Sequence, residues 1–193
     1  KNVFFVLIHE NLNDYFHFKK KKFIILDDCV DLRDFDKVSI TKKIKKSCVY
    51  TGSLFYGKGF EFIIKLAKEN TDIEFYVYGD PKTADIELIK DCKKIKNLKL
   101  MGFISYSKIP KILKSHSVIL MPYGNKVRAN HKTIDISKYM SPLKLFDYLA
   151  SGQIILASKH KTYSHVLKNG FNSILCETNR LDQWSKKLRE IFK

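Results

Sequence analysis

Downstream of residue 47 the chain alternates short apolar runs, rich in β-branched and aromatic residues, with segments of about ten residues whose apolar positions recur every three or four. That rhythm predicts strands at Cys48 to Leu54, Ile73 to Tyr78, Leu98 to Met101, Val118 to Met121, Ile154 to Ala157 and Ser173 to Leu175. Between and after them it predicts helices at Phe60 to Lys68, around Asp85 to Cys92, at Tyr106 to Lys114, after Pro142, at Tyr163 to Leu167 and at Leu181 to Phe192. Upstream, Val3 to Ile8 reads as a strand, Glu10 to Phe18 as a helix and Phe23 to Leu26 as a further strand. The polar stretch from Asp27 to Ser47 has no clear period and reads as a linker. Parallel neighbours need crossover connections, so six strands separated by helices imply a parallel sheet covered on both faces. The expected fold is α/β, a Rossmann-like doubly wound parallel sheet. Gly124 to Lys138 is the one long segment without a pattern, and long loops in compact domains tend to be functional.

Composition changes this picture in only a few respects. With 193 residues, 45% apolar and 29% charged, the chain can bury a full core and is not disordered. No apolar run approaches a membrane span, and the first 25 residues do not form a secretory signal, so a soluble chain is expected. Cys29, Cys48, Cys92 and Cys176 are scattered, which predicts free thiols in a reducing cytosol. The formal charge of +16 raises nucleic acid or an anionic membrane surface as partners. It comes from 32 Lys and only 4 Arg, spread along the chain, whereas base and phosphate readers favour the Arg fork; specific nucleic-acid binding is not expected. A solvated surface accounts for most of the excess, with weak attraction to acidic headgroups as the alternative.

In an open α/β sheet the ligand crevice lies beyond the carboxyl ends of the strands, and three places there stand out. Thr51-Gly52-Ser53-Leu54-Phe55-Tyr56-Gly57-Lys58-Gly59 runs from a strand through glycines and a lysine into a helix. On its own it is either a tight turn with a solvated lysine or a phosphate seat. It is neither a Walker motif nor the dinucleotide fingerprint. Ser141-Pro142-Leu143-Lys144 opens a helix that Gly152 closes, with Ser141 as expected N-cap, and free N–H groups there suit phosphate. Asp147, one turn on, either accepts ribose hydroxyls or pairs with Lys144. Met101-Gly102-Phe103-Ile104 is either an apolar wall for a flat base or a plain turn with Phe103 in the core. His9, His17, His116, His131, His160 and His165 form no metal-like set, and no nucleophile elbow is present.

These places, in this order, carry a resemblance. From about Val6 onward the chain resembles the carboxyl-terminal half of the family 4 (group 1) glycosyltransferases, retaining enzymes of the GT-B fold. "VYTGSLFYGKGFEFIIKLAK", "LKLMGFISYSKIPKILKSHSVILMPY" and "MSPLKLFDYLASGQIILAS" look like that family's glycine turn, base turn and acidic helix, and "FIILDDCVDLRDF" is similar to its crossing segment. The resemblance implies a hexosyltransferase-type enzyme in polysaccharide biosynthesis, with a nucleotide-diphosphate sugar as donor substrate and a glycan or lipid-linked acceptor. It divides the chain into a remnant of an amino-terminal acceptor domain with the crossing segment (1–26), a linker (27–47) and a nucleotide-sugar-binding domain (48–193). Lys58 would be catalytic, holding the diphosphate with the amides of Leu143 and Lys144. Asp147 would bind the ribose, Gly102, Phe103 and Ile104 the base, and Gly52, Ser53, Gly57, Gly79, Pro122, Tyr139, Ser141 and Pro142 complete the donor site. No cofactor or metal is required, because basic side chains and helix N-termini stabilise the departing diphosphate. The pattern is departed from in two ways: Ser53 stands where the family usually has Arg, and Tyr139 with Asp147 replaces a pair of Glu, with Lys138 or Lys144 as candidate compensation. The missing amino-terminal domain would be a partner, and the location would be cytoplasmic, peripheral on the inner face of the membrane. A non-catalytic nucleotide-sugar-binding or assembly module is the alternative reading.

Overall fold

Along the central strand, consecutive side chains enter opposite cores: Cys48 and Tyr50 face one, Val49 the other. Both sets are buried, so this strand cannot be at an edge or on a wet face. The computed structural model describes residues 3–19, 22–40, 42–130 and 134–193, and His131 falls outside them. In chain order the elements are β1 (Phe5–Leu7), α1 (Leu12–Phe16), β2 (Phe23–Ile25), α2 (Arg33–Asp36), β3 (Ile44–Thr51), α3 (Phe60–Glu69), β4 (Glu74–Tyr78), α4 (Ile86–Lys93), β5 (Leu98–Gly102), α5 (Ile109–Ser115), β6 (His116–Met121), α6 (Lys144–Ala150), β7 (Ile154–Ser158), β8 (Ile174–Cys176) and α7 (Leu181–Ile191). β3 to β8 form a six-stranded parallel sheet in the order β5-β4-β3-β6-β7-β8, the expected doubly wound arrangement.

One core lies under α3, α4 and α7, where Phe60, Ile63, Leu66, Trp184 and Leu188 pack on Cys48, Phe75, Val77 and Val118. The other lies under α2, α5 and α6, where Phe35, Leu113, Leu145 and Tyr148 pack on Val49, Ile119 and Ile155. Each large side chain so buried contributes roughly 1.5 to 3 kcal/mol of transfer free energy. β1 and β2 form a separate parallel pair. Leu7 is buried, but most of the pair's apolar side chains stay in solvent: Val6 is 57% exposed and Ile25 49%. All four cysteines are free thiols, three of them buried. Among the described residues no helix is long and apolar enough to cross a membrane.

Several expected elements differ in detail. Residues 161–163 form a single 3₁₀ turn where a helix from Tyr163 to Leu167 was expected. Tyr163 and Leu167 are apolar because they plug the second core, not because they share a helical face. The helix expected from Tyr106 begins as a 3₁₀ turn, Tyr106–Lys108, and becomes α only at Ile109, with Pro110 in its first turn. β3 begins at Ile44, inside the expected linker, and is bent there by a positive φ at Lys46, while α2 occupies part of the same stretch with Phe35 buried. The unpatterned segment after Gly124 folds back on itself: Asp135 Oδ1 accepts from Val127 N–H at 3.1 Å and Ser137 N–H at 2.9 Å, and Arg128 bridges Asp135.

Candidate functional site

The strand order turns between β3 and β6, since chain order runs from β3 through β4 to β5 in one direction and from β6 through β7 to β8 in the other. Loops leaving the carboxyl ends at such a point diverge and open a crevice. Gly52, Ser53, Gly57 and Lys58 follow β3, Pro122 follows β6, and α6 sits over the same end. The Tyr148 hydroxyl fixes it there, accepting from Thr51 N–H at 3.2 Å and donating to Thr51 C=O at 3.1 Å. One turn earlier on α6, Lys144 is thereby aimed at the β3 turn.

Two ammonium groups meet at this turn. Lys144 Nζ donates to Tyr50 Oη at 2.8 Å and lies over the Tyr50 and Tyr123 rings, 4.0 and 5.4 Å from their centroids. Lys58 Nζ donates to Ser53 Oγ at 2.9 Å and lies 5.5 Å from the Phe55 ring centroid. Neither has a carboxylate partner among the described residues. Burial holds the Lys144 ammonium well below the usual lysine range, and the nearby Lys58 charge depresses it further. Lys58 is lowered by burial too. Two desolvated like charges with no counter-ion are costly unless an anion joins them. Gly52 makes the approach feasible, since a Cβ there would stand 2.5 Å from Lys144 Nζ. At Gly57, φ is +77° and a Cβ would run into the Lys126 carbonyl, so the loop after β6 closes directly on the turn, with Gly124 N–H donating to Gly57 C=O at 2.8 Å.

Beside the lysines is a cavity of about 340 Å³ lined by Gly52, Ser53, Tyr78, Gly79, Asp80, Thr83, Phe103, Ile104 and Ile109. It brings together five of the residues singled out in the sequence. Phe103 is 78% exposed, so it forms a wall of the crevice and is not the core residue that the plainer reading required. Asp147, on α6, does not line this cavity; it is buried and accepts from the Tyr106 hydroxyl at 2.8 Å. Burial raises its carboxyl above the ordinary range, an effect that the Tyr106 bond offsets in part. Lys144 points away to Tyr50, so the Asp147–Lys144 pair is not formed.

Other predicted residues fall elsewhere. Pro122 is buried beneath Gly59, where a Cβ would strike its ring. Tyr139 packs toward Tyr15 of α1, ring centroids 6.4 Å apart, and does not line the cavity. Ser141 does not cap α6; Leu143 occupies that position with no side-chain cap, because two bonds back to the Pro142 and Leu143 carbonyls tighten the first turn. The sequence reading missed Tyr50, Tyr106, Tyr123 and Tyr148, which link segments as many as 97 residues apart. Tyr50 and Tyr123 lie near the carboxyl ends of strands, where a signal could have been sought; Tyr106 and Tyr148 lie on a 3₁₀ turn and a helix and carried none.

Residues 33–193 match the family model of "Glycosyl transferases group 1". Among solved structures the chain is similar to a glycosyltransferase from Rickettsia africae ESF-5, with a TM-score of 0.77 and 10% identity over 99% of this chain and 53% of that one. It is also similar to Anabaena Alr3699/HepE in complex with UDP and glucose, with a TM-score of 0.73 and 11% identity over 98% and 53% of the two chains. The C-terminal domain of a group 1 family protein (LpcC) from Francisella tularensis matches with a TM-score of 0.60 and 20% identity over 84% and 87%. These likenesses establish the fold, and the chain spans about half the length of the first two. No curated protein matches the sequence.

Proposed function

The chain belongs to the group 1 glycosyl transferases, and from that membership we propose that it binds the nucleotide-diphosphate sugar of a retaining transfer to a glycan or lipid-linked acceptor. The observation that carries this reading is that Lys58 and Lys144, neither with a carboxylate partner among the described residues, converge on the Gly52–Ser53 turn, and that this turn also lines the cavity walled by Phe103 and Ile104. A pyrophosphate between the two lysines supplies the missing negative charge. Its nucleoside enters the apolar cavity and Asp147 takes the pentose hydroxyls.

When the bond from sugar to diphosphate breaks, charge accumulates on the leaving oxygens. Lys58 and Lys144, already desolvated and positioned, stabilise it without reorganising. Lys144 then stands in for the Arg that Ser53 replaces, reaching the phosphates from α6 instead of from the β3 turn. The acceptor attacks from the leaving-group side, so configuration is retained, and in this reading the lysines perform the task without a metal. An amino-terminal acceptor domain covers the exposed apolar faces of β1 and β2, because a parallel pair is not stable uncovered.

UDP and GDP at about 100 times their Kd are expected to add about 2.7 kcal/mol of stability, a rise of roughly 5 to 10 °C in Tm. Lys58→Ala removes the shift and Asp147→Ala reduces it; a wild-type chain that responds to neither nucleotide overturns the proposal. A non-catalytic binding module is the second reading, favoured by Tyr139 lying against Tyr15 instead of lining the site. It prevails if nucleotide binds but sugar transfer stays absent with the acceptor domain supplied. The lysine excess supports a peripheral place on the inner face of the membrane, and equal flotation with anionic and neutral vesicles removes that placement.

A further inference from the structure

Asp147 is a buried carboxylate with one donor and no cation. Among the described residues no lysine or arginine pairs with it, and the only side-chain bond it receives is from Tyr106 Oη to its Oδ1, at 2.8 Å. Oδ2 has no such partner. Oδ1 is thus satisfied within the protein, whereas Oδ2 is not sealed from solvent and is open to a further donor. Tyr106 is 56% exposed, and its ring fills no core. Nothing in the packing of α5 requires a hydroxyl at that position: the 3₁₀ turn that carries it closes through backbone bonds from Lys108 N–H to Ser105 C=O and from Ile109 N–H to Tyr106 C=O.

Its place in the chain is informative. Tyr106 lies two residues after Ile104, so one short segment, 102–106, supplies both the apolar wall of the nucleoside cavity and the hydroxyl that holds Asp147. Any shift of that wall moves the hydroxyl with it.

We propose that Tyr106 is a positioning residue for nucleotide recognition: by holding Oδ1 of Asp147 it orients Oδ2 toward the pentose diol, and so sets the preference for a ribonucleotide over one lacking those hydroxyls. This rests on Asp147 being the pentose ligand. Tyr106 acts through Asp147 and does not itself touch the phosphates. Bonded to Oδ1, it restricts the carboxylate to one rotamer before the nucleotide arrives, which lowers the ordering cost of binding.

The test compares UDP and GDP with their 2′,3′-dideoxy counterparts on the whole chain, measured by calorimetry, for the wild type, Tyr106→Phe, Asp147→Ala and the double variant. Tyr106→Phe keeps the ring, and losing the one side-chain donor to Asp147 is expected to lower its Tm without nucleotide by only a few degrees, leaving it folded for the comparison. It is expected to weaken the ribonucleotide about tenfold, the scale of one hydrogen bond to a charged group, and to change the dideoxynucleotide less than about twofold. Asp147→Ala is expected to abolish discrimination between the two, and adding Tyr106→Phe to it to have no further effect. Equal weakening of both nucleotides by Tyr106→Phe, or no weakening of either, overturns the positioning role while leaving the donor site intact. Discrimination that survives Asp147→Ala, or a wild type that binds no nucleotide, overturns the reading of the site itself and this inference with it.

Discussion

The two ends of the six-stranded sheet treat buried polar groups in opposite ways. At the amino end they are satisfied from within. Asn97 Nδ2 donates to the carbonyls of Ala67, Asn70 and Ile73 at 2.8 to 3.0 Å, and its own carbonyl accepts from Phe75 N–H at 2.7 Å. Asn70 Nδ2 reaches Leu66 C=O and Ser185 Oγ, both at 2.9 Å. His116 Nδ1 lies 3.0 Å from Ser47 Oγ, and because that hydroxyl gives its proton to Ile44 C=O, the ring nitrogen is the donor. At the carboxyl end the fold leaves Lys58 and Lys144 without carboxylate partners and Asp147 with one side-chain donor. Polar groups that the fold completes hold it together; those it leaves incomplete are free to be completed by something else.

Breaking the satisfied end should cost stability and spare the site. Asn97→Leu takes a donor from three carbonyls, of which that of Asn70 keeps Ile73 N–H, and is expected to cost about 4 kcal/mol, roughly 10 °C in Tm, with nucleotide affinity unchanged below the transition. A matching loss of affinity would show that the two ends are coupled. Acid attacks the same end through His116, whose imidazole is lowered by burial from 6.5 to about 4. The unfolded chain takes up a proton below pH 6.5 while the folded chain refuses it, so stability is full above that pH and falls as pH drops toward 4. At 1.36 kcal/mol per unit the loss is about 3 kcal/mol, and His116→Gln should flatten this part of the acid limb in chemical denaturation.

The incomplete end should behave inversely. Lys144→Met is expected to weaken UDP binding about 100-fold in calorimetry and to raise stability by about 1 kcal/mol, since a desolvated ammonium is replaced by an apolar chain of similar length. A variant that loses stability as well would make Lys144 a structural residue. The smallest effect is a proton: with both ammonium groups depressed, diphosphate binding favours their charged forms, so binding draws protons from the buffer increasingly as pH rises. Binding enthalpies measured in two buffers of different ionisation enthalpy should differ; identical values would mean that both lysines are fully charged before the nucleotide arrives.

Much of this architecture was legible in the sequence. The apolar periods at Phe60 to Lys68 and Leu181 to Phe192 are strong because each helix must bury one stripe, and the helices occur there as 60–69 and 181–191. The glycine turns after Thr51 and after Met101 were visible because only a few residues tolerate such backbone paths. Tyr163 and Leu167 misled, because apolar residues that plug a core from a loop carry the same spacing as a helical face. Ser141 misled because a good capping residue in the right place caps only if the first turn leaves its donors free.

The sequence by itself determined the alternation of elements, and with it a parallel doubly wound sheet and the strand ends at which a ligand site must lie. It also placed each of Gly52, Lys58, Phe103 and Asp147 at such an end, because local backbone requirements are written in neighbouring residues. Only the tertiary structure decided which way Lys144 points, that Tyr50 and Tyr123 receive it, and that Tyr106 serves Asp147 across 41 positions. Those choices depend on distances between segments remote in the chain, and the packing of two cores against one sheet sets those distances where no local pattern records them.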